Sequence, residues 1–130
     1  MNRFAKTFTA CPEHIDELGH VNNAVWVTWI QDIATAHWSA AASPDHLERY
    51  VWVVTRHEID YRGNVSAGEV VTATTWIPDG PRGARFDRCV EFRDGAGKPL
   101  VAARSTWAML DKASGRLVRV PREVAAPFLP

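Results

Sequence analysis

Asp16, His20, Asn22 and Asn23 stand close together in the run Asp16-Glu17-Leu18-Gly19-His20-Val21-Asn22-Asn23. An apolar stretch from Ala24 to about Ala42 follows at once. An acid just ahead of a helix has a definite chemical use. The first N–H groups of a helix lack partners inside it and carry partial positive charge. They polarise a carbonyl and hold the oxyanion that forms when it is attacked. A carboxylate a few residues upstream then serves as general base on water, or as the nucleophile itself. Asp16 precedes Asn23 by one tight turn. Gly19 admits backbone geometry that a side chain forbids. His20 and the two asparagines can hold the turn by hydrogen bonds, and Asn22 or Asn23 suits the helix N-cap.

Other chemistries find less in the sequence. There is no Gly-x-Ser-x-Gly elbow and no phosphate-binding glycine loop. His14, Asp16 and His20 do not have the spacing of a zinc site. Asp, Gly and Asn taken singly are ordinary turn residues. His14, His37 and His46 read as surface or packing residues, and His57 as core-facing or pocket-lining.

The elements that position the turn follow from periodicity. Arg3 to Cys11 reads as a strand with Phe4, Lys6, Phe8 and Ala10 on one face, ended by Pro12. Trp26, Trp29, Ile30, Ile33, Ala36, His37 and Ala40 recur at three- and four-residue steps, which predicts a long helix lying deep against a sheet. Ser43-Pro44-Asp45 stops it, and His46 to Tyr50 reads as a short loop. Tyr50 to Arg62 alternates, with Val51, Val53, His57, Ile59 and Tyr61 on one face. Glu69 to Ile77, Ala84 to Arg93 and Pro99 to Asp111 are further strands. Asp94 to Gly97 is a hairpin turn. The last strand is apolar on both faces and is expected inside the sheet. Pro121 is placed to open a small helix at its first position. One long early helix with four or five antiparallel strands is an α+β arrangement. One helix cannot cover such a sheet, so a partner subunit is expected.

Composition sets the outer limits. The 130 residues fit one domain, 1–130, with a real core. At 46% hydrophobic, the chain is not of a disordered or fibrous class. Six tryptophans imply large buried surfaces, an interface or an apolar pocket. A formal net charge of zero argues against nucleic-acid or membrane-surface binding. Cys11 and Cys89 have neither disulfide-scaffold density nor ligand spacing. No signal-peptide core and no membrane-length apolar run is present, so a cytoplasmic protein is expected.

The run Asp16 to Asn23, followed by Ala24-Val25-Trp26, resembles the Asp-x-x-Gly-His-Val-Asn-Asn-x-x-Tyr signature of the hot-dog acyl-thioesterases, the 4-hydroxybenzoyl-CoA thioesterase-like family. The resemblance extends to Val54–Tyr61, to Ala67-Gly68-Glu69-Val70-Val71, to Trp107–Asp111, and to Gly115-Arg116 through Val120-Pro121. It implies a hot-dog fold, a five-stranded antiparallel sheet wrapped around one long central helix. It implies hydrolysis of acyl-CoA thioesters, with active sites at the interface of a homodimer or a dimer of dimers, and no cofactor. Asp16 matches the catalytic carboxylate, the Asn23 N–H matches the oxyanion donor, and Gly19, His20 and Asn22 match residues that shape the turn. Val21, Trp26, Trp29 and His57 are candidates for lining the substrate pocket. Arg82 and Arg85 stand where relatives meet the phosphates of CoA, a task suited to arginine's planar fork.

Two departures stand out. His14 occupies a position where many members carry an acid, and Trp26 replaces the usual Tyr. Hydratases of the same fold pair Asp and His around an Asx-Pro step absent from this turn. Hydrolysis of acyl-carrier-protein thioesters, or acyl-CoA binding without turnover, are the alternatives.

Overall fold

The computed structural model describes residues 2–130; Met1 lies outside them. Strand β1 (Phe4–Thr9) leads through a 3-10 turn (Pro12–His14) into helix α1 (Asn23–Ala41). Helix α2 (Pro44–Arg49) follows, then strands β2 (Tyr50–Tyr61), β3 (Val70–Trp76), β4 (Arg85–Arg93) and β5 (Pro99–Asp111). A short helix α3 (Arg122–Ala125) and a 3-10 turn (Ala126–Phe128) end the chain. The strands form one five-stranded sheet in the order β1-β3-β4-β5-β2, antiparallel at each pairing. The α+β architecture is the one expected.

Helix α1 begins where Asn22, extended at φ −60° and ψ 140°, accepts the Ala24 N–H on its side chain. That satisfies one of the donors a helix start leaves open. The helix buries Trp26, Trp29, Ile30, Ile33, Ala34 and His37, while Ala40 is exposed. It stops at Ala42, and the chain turns straight into α2. The segment expected to be a loop is therefore helical: the Ser43 hydroxyl caps the His46 N–H at 3.2 Å and Pro44 opens the helix. Ser-Pro both stops one helix and starts the next. Pro121 is the N-cap of α3 rather than its first residue.

Strand β2 departs from simple alternation. Val54 pairs with Trp107 but Arg56 pairs with Thr106, so Thr55 is an extra residue in the ladder. Such a bulge reverses which side chains face the helix. Tyr50 and Trp52 therefore face inward before it and His57 and Ile59 after it, and Trp52 meets Trp38 and Phe86. Val51 and Val53, expected on the face of His57, are instead 40% exposed.

The interior has two clusters. One joins Trp26, Trp29, Ile30 and Ile33 to Val71, Val90, Phe92 and Val101. The other joins Tyr50, Ile77, Phe86, Met109, Val124 and Phe128, with Trp38 and Trp52 against it. On the inner face of β4, Arg88 falls between Phe86 of the second cluster and Val90 of the first.

Candidate active site

The turn after β1 is a closed loop. Ile15 bridges Val21, and the Asp16 N–H donates to the His20 carbonyl at 2.8 Å. Gly19 takes φ +77°, the left-handed region that glycine enters freely, and its N–H donates to the Asp16 carbonyl. The carboxylate Oδ1 of Asp16 accepts the N–H groups of Leu18 at 2.9 Å and His20 at 3.3 Å. Oδ2 has no protein partner among the described residues. Asp16 is half-buried, and Gly19 and His20 are exposed.

Helix α1 begins beside this loop. The Ala24 and Val25 N–H groups are both taken, by the side chain and the carbonyl of Asn22. Among the described residues the Asn23 N–H has no partner. The loop thus ends on one unspent donor at the positive end of a helix of 19 residues.

Two residues outside the motif hold it in place. Asn64, just past β2, accepts the N–H groups of Val21 at 2.9 Å and Val65 at 2.8 Å, and donates to the Val21 carbonyl at 3.3 Å. His14, where an acid was the usual residue, accepts the Cys11 N–H on Nδ1 at 2.9 Å. Its carbonyl accepts the Asn22 N–H, and its ring meets the Trp29 ring edge-on at 5.4 Å. The imidazole anchors the turn to the core. Asn64 carried no signal beyond being a polar residue at a strand end.

The candidates for substrate contact are dispersed. Trp26 and Trp29 are core residues, 0% and 4% exposed, packed edge-on to each other and against Phe92 and Phe8. Val21 is buried with them. Indoles on that helix stripe fill the space between α1 and the sheet, so within one chain they line no open pocket. His57 lies on the inner face, its Nδ1 2.5 Å from the Ser105 hydroxyl, and burial lowers its pKa. Arg82 is paired with Asp87 at 3.0 Å, and Arg85 is exposed at the start of β4. Asp87 also accepts from Thr106 and Arg104. Burial pushes its carboxyl up, but the bonds from Arg82, Thr106 and Arg104 outweigh that and hold it below the usual carboxylate range.

An open cavity lies elsewhere. A cavity of about 390 Å³ adjoins the C-terminal half of α1 and is walled by Trp38, Trp52, Phe86, Trp107 and Phe128. Ala34, the cavity residue nearest the start of α1, lies roughly 16 Å along the helix from Asn23, at 1.5 Å per residue. Arg88 also lines it. This side chain is buried, and its Nη1 donates to His37 Nδ1 at 2.9 Å and to the Thr75 hydroxyl at 3.0 Å. Burial, with the charge of Arg88 second, lowers the His37 pKa from 6.5 to about 4, so the imidazole is neutral and accepts the bond. Burial lowers Arg88 to about 10, which leaves it charged at neutral pH. No three metal-ligating side chains converge, and no helix is long and apolar enough to cross a membrane, among the described residues.

Comparison with known proteins places the chain among thioesterases. Residues 1–128 match the family model of the acyl-ACP thioesterase N-terminal domain. The chain is 37% identical over 82 residues to a chloroplastic palmitoyl-acyl carrier protein thioesterase of Arabidopsis thaliana, covering 62% of this chain and 19% of that protein. A counterpart from Gossypium hirsutum is 33% identical over 91 residues, covering 68% and 22%. The chain thus spans about a fifth of the length of these curated relatives. Among solved structures, a predicted thioesterase from Bacillus stearothermophilus superposes with a TM-score of 0.85 at 22% identity, covering 98% of this chain and 94% of that one. An acyl-ACP thioesterase from Bacteroides thetaiotaomicron gives 0.84 at 22%, covering 98% and 54%.

Proposed function

The chain belongs to the family of acyl-ACP thioesterase N-terminal domains, and from that premise we propose that it hydrolyses acyl thioesters of phosphopantetheine with Asp16 as general base. The observation that carries the reading is the pairing of a carboxylate held by one oxygen with an unspent N–H at a helix start. Oδ1 of Asp16 is tied to the loop, which leaves Oδ2 to take a proton from water. Water then adds to the thioester carbonyl, and the Asn23 N–H receives the oxyanion. Collapse expels the thiolate, and the proton held on Asp16 goes to it.

The carrier is the finer question. The acyl-CoA expectation came from the signature in the turn. The matched family and the curated relatives are named for acyl-ACP, which favours the carrier-protein thioester. Both carriers present the same pantetheine arm, so the chemistry at Asp16 is common to them. Arg85, exposed and free of acidic partners among the described residues, is better placed for a carrier's phosphate than Arg82, which is committed to Asp87.

The proposal includes a dimer. Strand β2 is at the edge of the sheet, with Val51 and Val53 exposed, a template for a second strand. Tyr50 and Val51 line the cavity at one end of β2, and Asn64, just past the other end, holds the Asp16 loop. A second copy running antiparallel along this edge would set its Asp16 loop beside the first copy's cavity. Chemistry and acyl pocket, distant within one chain, then meet across a twofold axis.

The test is thiol release from a panel of acyl-ACP and acyl-CoA substrates. Asp16→Asn retains an oxygen for both loop N–H bonds but loses the base. We expect kcat to fall roughly 100- to 10,000-fold with an unchanged circular dichroism spectrum. Undiminished release from the variant would remove Asp16 as the base. Binding without release from any thioester, in the wild type, would make the chain an acyl-binding module.

A further inference from the structure

Arg88 is a buried cation with no anion. It is 7% exposed, lies on the inner face of β4, and forms no salt bridge among the described residues. Its neighbour Asp87 points to the opposite face and is taken by Arg82 and Arg104. The two acceptors Arg88 does have, His37 and the Thr75 hydroxyl, are neutral, and both bonds come from Nη1. Guanidinium carries five N–H donors in a planar fork. The Nε and Nη2 donors have no partner within the chain among the described residues, and the residue lines the cavity.

Much of the remaining cavity wall is aromatic, from Trp38, Trp52, Phe86, Trp107 and Phe128, with Thr35, Ser39 and Lys112 as its polar part. An aromatic sleeve suits an alkyl or aryl chain. Of the two cations that line it, Lys112 is exposed and donates to the Leu47 carbonyl at 2.8 Å, whereas Arg88 is buried and fixed, which suits an anion at one point on that chain. Buried charges are ordinarily paired, and a guanidinium fork matches a carboxylate with two parallel bonds. Thr75 and His37 fix the fork: the Thr75 hydroxyl donates its own proton to the Cys89 carbonyl at 2.8 Å, which leaves its lone pairs for Arg88. The His37 ring is clamped by Phe4 and Phe128.

We infer that the cavity binds an acyl chain bearing a carboxylate, with Arg88 as its counter-ion, so that the preferred thioester is one whose acyl group carries a second, free carboxyl group. This rests on reading the chain as an acyl-thioester hydrolase, and it names the substrate class. Arg88 is here a specificity-determining residue, remote from the bond that breaks. The same carboxylate chemistry is present in a free fatty acid, a second source that the experiment must separate.

The test uses non-hydrolysable pantetheine thioethers of equal chain length, one ending in methyl and one in carboxylate, titrated by calorimetry. Wild-type protein should bind the carboxylate-ended thioether roughly 10- to 100-fold tighter. Arg88→Met should abolish that ratio, and Arg88→Lys should retain part of it. Equal or weaker binding of the carboxylated thioether by the wild type overturns the inference, whether or not the variants fold. So does a ratio that survives Arg88→Met. A free fatty acid that binds as tightly as the carboxylated thioether, and loses that binding in Arg88→Met, would assign the site to the released product and overturn the substrate assignment. The matched thioesters complete the test. If neither is hydrolysed while the thioether ratio stands, the hydrolase reading fails and the carboxylate site does not.

Discussion

The proposed mechanism divides two duties between the two oxygens of Asp16. Oδ1 builds the loop and Oδ2 has no protein partner among the described residues, so in that mechanism the same group sets the geometry and supplies the base. Asn and Ala at this position therefore differ in effect: Asn keeps the loop, whereas Ala loses loop and base together. Arg88 and His37 show a second case of shared work. His37 accepts from Arg88 only while neutral, and its pKa near 4 lies below the 6.5 of the unfolded chain. As pH falls below 6.5 the unfolded state takes up the proton first, so this contribution is whole above 6.5 and is lost progressively toward pH 4. The slope from this one group approaches about 1.4 kcal/mol per pH unit. Urea unfolding of wild type and His37→Gln across pH 4 to 7 checks it. Glutamine keeps an acceptor but does not titrate, so the variant should have the shallower profile by up to that slope. Arg88 was visible in the sequence on the same parity as Phe86, Val90 and Phe92. Parity alone does not say that an arginine inside a core faces a cavity.

The elements make the loop rigid by contacts that no local pattern contains. Asn64 follows β2 and binds both backbone groups of Val21, so the end of the edge strand fixes the entry to α1. Asn64→Ala removes these bonds and leaves the buried Val21 N–H unpaired. The expected loss is about 1–3 kcal/mol by denaturant unfolding, with a larger fall in kcat than Asn64→Asp, which keeps the acceptor. A variant with wild-type stability and turnover would show that the loop stands without β2. The bulge at Thr55 is the other element-scale surprise. Alternation through Tyr50 to Arg62 reads smoothly, and an inserted residue is invisible until the pairing with β5 is known. The Ser43 cap and Pro44 of α2 were legible in principle, because the same two residues that close one helix open another.

At the scale of the molecule, the edge position of β2 is decisive. It leaves Val51 and Val53 in solvent and keeps the Asp16 loop and the aromatic cavity at opposite ends of one strand. A lysine on such an edge disfavours strand addition. Val53→Lys is expected to yield a monomer by sedimentation velocity, with the circular dichroism of the wild type and little thiol release. An active monomeric Val53→Lys would show that the site is complete within one chain.

The sequence by itself determined the long helix, the strands and the conformation of the turn. Periodicity is local, and an Asp, a Gly and an Asn before an apolar helix constrain their own backbone whatever surrounds them. The family signature in the same run carried the architecture, a five-stranded antiparallel sheet around one helix. Only the tertiary structure decided what those residues touch. Trp26 and Trp29 became core rather than pocket because α1 sets that stripe directly on Phe92 and Phe8. Arg82 was claimed by Asp87, five residues further along, across the turn that opens β4. Arg88 was left without an acid because the sheet separates it from Asp87. The burial of the two indoles and the cavity that Arg88 lines depend on packing between residues far apart in the chain, which spacing along one element does not encode.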